Sequence, residues 1–558
     1  MEGELNLMVK LILSIVLGGF VGLLCFLYNG VLMKPKKLRL KLEKQGIKGP
    51  CPSLLYGNIH EMRRIQLEAL SAASSTQKDH QAAIAHDWFP TLFPYLDKWR
   101  NEYDSTTHYP PVLPLGKQEH GVLQPSTAFS GQDNYSSAAF TWLFWCTGSV
   151  FLYSTGNLQL LCTTDMEMVR EIGLHKSLSL GKPSYLTRDR GPLLGQGILS
   201  SSGPIWAHQR KIIAPEFFPD RVKGMVNLMV DATTSLLNTW ESRVEQEGGI
   251  LEIVVDEDLR SLSADIISRA CFGSSYSNGE EIFSKLKALQ MAMSKANIGI
   301  TGMRYLPSKH NREIWKLEKE IDSMILKVVK QRIEEGIHEK DLLQMILEGA
   351  KSCDDYKGLS KERFIVDNCK NMYFAGYETT ATTASWTLML LATNPDWQAC
   401  VRAEVLETCK DGLPDADALR NMKMTLRLYP PATFVIRQAL EDIDFKGIII
   451  PKDMNIQIPI PALQQSVDLW GPHAHEFNPE RFANGVVEAC KVPQAYMPFG
   501  VGARICAGQH FAMAELKVAL SLLLSRFSFS LSPAYCHSPA FRLVIQPEHG
   551  ICLRVKRV

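Results

Sequence analysis

At 558 residues the chain has the length of two average domains or one large one, and 46% hydrophobic with 21% charged residues is a globular rather than a disordered composition. A net charge of +1 gives no electrostatic basis for binding nucleic acid. Thirteen cysteines, scattered without CxxC pairs or zinc spacing, exclude a disulfide framework and read as reduced thiols in a cytosol-facing domain.

Residues 11–33 form an uncharged run of about 23 residues, long enough as a helix to cross a ~30 Å hydrocarbon core. Lys34, Lys36, Lys37, Arg39, Lys41 and Lys44 follow at once, whereas Glu2, Glu4 and Lys10 precede it. The positive-inside rule then places the bulk of the protein in the cytosol. The run is too long for a signal peptide and lacks a small-residue cleavage pattern, so it reads as a retained single-pass anchor. Residues 1–44 are thus a membrane anchor with a basic juxtamembrane segment, and 45–558 the globular domain. Gly49-Pro50-Cys51-Pro52-Ser53 is a stiff exit from the membrane. The stretch from Leu92 to Trp99 is a short amphipathic helix. Residues 104–147 hold Pro110, Pro111, Pro114 and Pro125 among many Ser, Thr and Gly without a sustained period, and read as an irregular insertion.

Alternation from Val150 to Cys162 around Thr155-Gly156-Asn157 predicts a hairpin. Trp206 and Arg210 stand four apart, on one helical face. Residues 220–345 read as amphipathic helices broken at Phe272-Gly273-Ser274-Ser275 and Lys309-His310-Asn311, forming a cover over a pocket. Residues 368–391 read as a buried helix, apolar on nearly all faces, interrupted at Ala375-Gly376-Tyr377-Glu378-Thr379-Thr380. Gly376 and the threonines disfavour helix there, so the helix is expected to open, with hydroxyls taking over freed carbonyls. Small Ala375 and Gly376 leave room beside it, and Glu378 with Thr379 offers an acid and an alcohol in a dry site.

Arg427-Leu428-Tyr429-Pro430-Pro431 closes a further helix, Thr433 to Val435 lead to Arg437, and Pro479-Glu480-Arg481-Phe482 follows Trp470-Gly471-Pro472. His473 and His475 have metal-like spacing but sit in a loop and read as solvated. Late in the chain, Phe499-Gly500-Val501-Gly502-Ala503-Arg504-Ile505-Cys506-Ala507-Gly508 opens onto an apolar helix. Its glycines allow a tight turn and close approach to a flat ligand. Cys506 at a helix N-terminus is expected to be held as a thiolate, suited to ligating haem iron, with Arg504 near enough to pair with a haem carboxylate.

Phe499-x-x-Gly502-x-Arg504-x-Cys506-x-Gly508 resembles the haem-binding loop of the cytochrome P-450 monooxygenases. The resemblance covers 45–558 except 104–147 and implies a mainly α fold with small β-sheets (α+β), preceded here by the transmembrane helix. It implies haem b with Cys506 as the axial thiolate, and Trp206, Arg210, Arg437 and Arg504 around its propionates. Ala375-Gly376-Tyr377-Glu378-Thr379 is similar to the family's oxygen-activating motif, in which Thr379 orders dioxygen or a water and Glu378 relays protons. The family also joins its two structural arginines, here Arg427 and Arg481, to a Glu three residues before the first. Met424 occupies that position, and the preceding interval is about seven residues short. This departure predicts poor haem incorporation. The hinge and the motifs at 374–380 and 477–482 are similar to the plant clan of gibberellin and diterpenoid oxidases, nearest the Elongated Uppermost Internode-like group. That implies a hydrophobic diterpenoid substrate, dioxygen, NADPH–cytochrome reductase and the endoplasmic reticulum membrane. A reductase-independent haem-thiolate isomerase is the remaining alternative, and the Glu378–Thr379 pair argues against it.

Overall fold

A computed structural model describes residues 2–76, 84, 86–103, 149–273, 276–295, 303–336, 341–352, 359–408 and 416–558. The expected insertion at 104–147 lies outside the described residues. The helical layer is organised around one helix, Lys361–Thr393. It starts at Ser360, whose hydroxyl accepts the Arg363 N–H, and stops before Pro395. The helices Val255–Phe272, Lys309–Glu334, Leu342–Ala350, Ala416–Leu428 and Gln509–Arg526 all pack against it. A helix apolar on every face satisfies that burial from all sides.

The expected opening at 375–380 does not occur. The helix is continuous, and its threonines bond back along it: Thr379 donates to the Ala375 carbonyl at 2.8 Å, Thr383 to Thr379 at 2.8 Å and Thr387 to Thr383 at 2.7 Å. These hydroxyls add to backbone hydrogen bonds instead of replacing lost ones, so the propensity cost is absorbed without a break.

Beside the helical layer lies a sheet with strand order Val150–Thr155, Leu158–Thr163, Asn455–Pro459, Phe434–Ala439 and Leu180–Gly181. Its first two strands form the expected hairpin, turning through Gly156 at φ 60°. A second sheet pairs Ile250–Val254 and Phe527–Leu531 with Cys552–Arg557. Ile250–Val254 was hidden inside a region read as helical. The break at Phe272 is real, since Gly273 terminates the helix at φ 61°. Lys309-His310-Asn311, read as a break, instead opens the helix Lys309–Glu334, with the Ser308 hydroxyl capping the Asn311 N–H.

At the N-terminus, the helix Glu2–Tyr28 continues through a π-helical turn, Asn29–Met33, into the basic helix Lys34–Glu43. Leu11, Ile12, Ile15, Val16 and Phe20 are exposed on it. Among the described residues no helix is long and apolar enough to cross a membrane, and the side chains at positions 1–9, 23, 24, 26 and 27 lie outside the description.

Candidate active site

The turn that carries Cys506 is held by its own backbone. The Cys506 N–H donates to the Phe499 carbonyl at 2.9 Å, Gly500 N–H to Met497 at 2.9 Å and Ile505 N–H to Gly502 at 3.0 Å. Gly500 and Gly502 are left-handed, at φ 79° and 72°. A Cβ on Gly502 would lie 2.6 Å from the carbonyl oxygen of Gly173, so that glycine is spent on backbone contact with the helix Met166–Leu174. Gly508 has ordinary φ and leads into the helix Gln509–Arg526.

Cys506 keeps accessible surface while protein atoms crowd around it, the condition of a side chain facing internal space. Burial pushes its thiol pKa up, and the opposing pull of the Gly508 N–H and Arg210 does not outweigh it. This corrects the expectation that the helix terminus alone holds a thiolate. A bound metal cation is what ionises such a sulfur.

Two arginines reach the turn from separate elements, and a third, Arg504, reaches out of it. Arg210, on the helix Gly203–Ile213, donates to the Ile505 carbonyl at 2.8 Å. Arg437, on Phe434–Ala439, reaches the Val501 carbonyl at 3.1 Å. Arg504 donates to the Ser201 carbonyl at 3.0 Å and lies 4.1 Å from the ring centroid of Trp206. Burial, reinforced by Arg437 and Arg210, brings Arg504 down to about 9, and burial brings Arg437 to about 10. Lys182, which the sequence reading missed, is pushed well down by burial and by Arg437 and Arg504. Among the described residues these four cations pair with no carboxylate. A half-buried cluster of one sign repels itself unless an anion joins it, and a group bearing two carboxylates beside an iron bound to Cys506 fits this donor set. Lys182 carries no sequence signal, because it enters only through pairing of Leu180–Gly181 with the Arg437 strand.

On the long helix, every residue from 366 to 392 is buried except Ala375, Gly376 and Thr379. These three residues of the predicted oxygen-side motif are where the helix keeps accessible surface. Gly376 corrects one expectation: a Cβ there would meet Ile267 Cγ1 at 2.5 Å, so its missing side chain serves packing against Val255–Phe272 rather than clearing space. Glu378 is buried on another face, where Arg260 Nε donates to its carboxylate at 3.3 Å. Arg260 also reaches Gln546 Oε1 at 3.3 Å. Both line a polar cavity of about 390 Å³ with Asp256, Lys287 and Arg542.

A second arginine pair sits apart from the cradle. Arg427 is fully buried, donating to the carbonyls of Gln464 at 2.8 Å and Glu476 at 3.3 Å, 4.9 Å from the Trp470 ring centroid. Arg481 donates to the carbonyls of Trp470 and His473. Among the described residues the Nε of each has no partner, and Met424 is buried one turn before Arg427. His473 pairs with Glu476 at 2.8 Å, and the described residues hold no metal-binding cluster.

The family model for cytochrome P450 matches residues 122–554. Cytochrome P450 714C2 of Oryza sativa subsp. japonica is 48% identical, over 98% of this chain and 97% of the relative. Cytochrome P450 714A2 of Arabidopsis thaliana is 41% identical over 98% of each, and cytochrome P450 714B3 of Zea mays 43% identical over 100% and 98%. The crystal structure of cytochrome P450DA heme domain aligns with a TM-score of 0.61 at 26% identity, covering 73% of this chain and 90% of that one. A thiol on a backbone-locked turn, ringed by cations that lack an anion, is the iron site these likenesses call for: the chain belongs to the cytochrome P450 family, the haem monooxygenases, with Cys506 as its thiolate ligand.

Proposed function

We propose that this chain hydroxylates or epoxidises a gibberellin or ent-kaurenoid diterpenoid at the cytosolic face of the endoplasmic reticulum membrane, with electrons from NADPH–cytochrome reductase. The observation that carries the oxygenase reading is the accessible patch of Ala375, Gly376 and Thr379 on a helix buried from 366 to 392 everywhere else, backed by the ion pair of Glu378 and Arg260. Haem, when bound, supplies the redox chemistry that divides dioxygen between substrate and water.

The protein supplies position, dryness and protons. Arg210, Arg437 and Arg504 would clamp the propionates, and Trp206 braces Arg504 from beneath. Thr379 can turn its hydroxyl from the Ala375 carbonyl to a bound water or dioxygen at little cost, since the backbone bond remains. Glu378 can relay a proton through one carboxylate oxygen while the Arg260 Nε–H holds the other. The 390 Å³ polar cavity beside the pair gives that carboxylate a route to solvent.

For the substrate class, the support is the motif resemblance at 374–380 and 477–482 together with high-coverage similarity to plant relatives. For the anchor it is the exposed apolar side chains on Glu2–Tyr28 and the lysines and arginine that follow. The test is product analysis of the membrane fraction with a panel of gibberellins and kaurenoid acids. The expected result is a product heavier by one oxygen, formed only with NADPH and reductase. Turnover of a diterpenoid hydroperoxide without reductase would instead select the isomerase.

A second reading has its own observation. The unpartnered Nε atoms of Arg427 and Arg481, with Met424 beside them, support a chain that loads haem poorly. A small carbon-monoxide difference band per mole of purified protein is its signature.

A further inference from the structure

Three aromatic rings lie in one stack. Tyr429 is parallel to Trp386, at 4.3 Å between centroids and 14° between planes, and to Trp88 on the other side, at 6.3 Å and 18°. Tyr429 and Trp386 are fully buried and Trp88 nearly so. Trp386 stands seven residues along the long helix from Thr379, about 10 Å of axial rise.

Packing would account for the rings but not for what surrounds the phenol. The Tyr429 hydroxyl lies 2.7 Å from His86 Nδ1 and 3.2 Å from His537 Nε2, and His537 Nδ1 lies 2.8 Å from the Tyr535 hydroxyl. Burial, with Arg427 and His475, brings His86 down to about 4; burial and His86 bring His537 to about 4. Both imidazoles are therefore neutral at physiological pH, and of the two ring nitrogens beside the phenol oxygen one accepts its proton while the other donates to it. The two indoles have no such outlet. Trp386 donates its N–H to the Ile545 carbonyl at 3.2 Å and Trp88 to the Leu428 carbonyl at 2.8 Å, and a carbonyl is far too weak a base to take that proton. The indoles can pass an electron; the phenol alone can lose an electron and a proton together.

We propose that Trp386, Tyr429 and Trp88, with His86 and His537, form a radical-discharge chain that drains oxidising equivalents from the haem when no substrate consumes them. The proposal rests on the haem-thiolate reading for its oxidant, which is generated at the haem from dioxygen or a peroxide. In one event Tyr429 gives one electron, which crosses Trp386 and reduces that oxidant by one equivalent. The phenolic O–H bond breaks and an N–H bond forms on His86 or His537, leaving a neutral phenoxyl radical and an imidazolium. A small reductant of the thiol or ascorbate class then returns the electron by way of Trp88 or the partly exposed Tyr535, and the proton goes back to the phenol.

Two oxidants test this on the full chain. Haem-loaded protein without substrate is mixed with hydrogen peroxide and frozen, and the radical is read by electron paramagnetic resonance alongside bleaching of the haem absorbance. Separately, flash-quench photolysis with a ruthenium tris-bipyridine sensitiser and a sacrificial acceptor oxidises the protein whether or not haem is loaded, with the tyrosyl absorbance followed in time. The expected result is a tyrosyl signal under both oxidants, lost in Tyr429→Phe and shortened in lifetime in His537→Gln, with faster haem bleaching in Tyr429→Phe. Trp386→Phe should weaken the peroxide-driven signal and spare the ruthenium-driven one. A signal of equal yield and lifetime in Tyr429→Phe, or no tyrosyl signal in the parent chain under flash-quench, overturns the chain. A flash-quench signal without a peroxide signal, in protein proven to contain haem, overturns its connection to the haem.

Discussion

Met424→Glu should raise both haem content and stability. Arg427 is fully buried, and burial with the like charge of Arg481 behind it brings the guanidinium down from its ordinary value to about 9. At pH 7 it is charged in folded and unfolded chain alike, so the whole cost of keeping that charge inside falls on the folded state. Three and a half tenfold steps correspond to a cost on the order of 5 kcal/mol, partly offset by two carbonyl hydrogen bonds and the face of Trp470. Breaking a buried charge pair costs roughly 3–5 kcal/mol, which agrees in size. Set against a typical domain stability of ~5–15 kcal/mol, either figure is a large fraction.

A carboxylate at 424 lies on the same helical face as Arg427, three residues before it on Ala416–Leu428. Its oxygens would meet the Nε atoms of Arg427 and Arg481 that now lack a partner. Gaining a charged hydrogen bond to each contributes about 1.5–3 kcal/mol apiece before the new carboxylate's own desolvation is subtracted. The assay is the ratio of haem to protein absorbance after purification, the reduced carbon-monoxide difference band, and the thermal midpoint. Met424→Gln is the control that offers hydrogen bonds without charge. If Met424→Glu loads no more haem and melts no higher than the parent chain or the Gln variant, the missing carboxylate is not what limits this fold.

Other expectations follow from the same geometry. Thr379→Ala should keep the helix and its stability within ~1 kcal/mol, because only a back-bonded hydroxyl is lost; reductant consumption should continue while product per NADPH falls. Gly502→Ala should abolish haem binding, since the new Cβ would sit 2.6 Å from a backbone oxygen at φ 72°; absorbance titration with hemin reads it. Glu515 is buried against Ser263, and burial raises its carboxyl from 4.5 to about 8. The folded chain therefore holds a proton that the unfolded chain releases, and stability falls as pH rises from 4.5 to about 8. Glu515→Gln should melt close to the parent at pH 4.5 and above it by a margin that grows up to pH 8.

The parts of this fold legible in the sequence are those in which a residue type answers a local backbone need. Gly500 and Gly502 sit at positive φ in the Cys506 turn, Gly156 turns the first hairpin, and Gly273 ends its helix, each where the pattern placed it. What stayed hidden depends on which neighbour a face meets. Gly376 looked like clearance for a ligand and proved to be the seat of Ile267. Lys182 reached the cradle only through strand pairing, and the cysteine's protonation reflects burial that no local motif encodes.

Helical geometry sharpens the point at the acid–alcohol pair. Consecutive residues on a helix of 3.6 per turn lie about 100° apart, and in this closed helix Glu378 is buried while Thr379 keeps accessible surface. Thr379 belongs to the accessible patch, and Glu378 faces Arg260 and the polar cavity. The motif that reads as one unit in sequence is therefore two stations about a quarter-turn apart on the helix. On the proton route proposed above, Glu378 would have to leave Arg260 and swing toward Thr379; Glu378→Gln, which keeps the shape and removes the charge, should then lower product per NADPH while haem content stays at the parent's level, and unchanged coupling in that variant would refute the route.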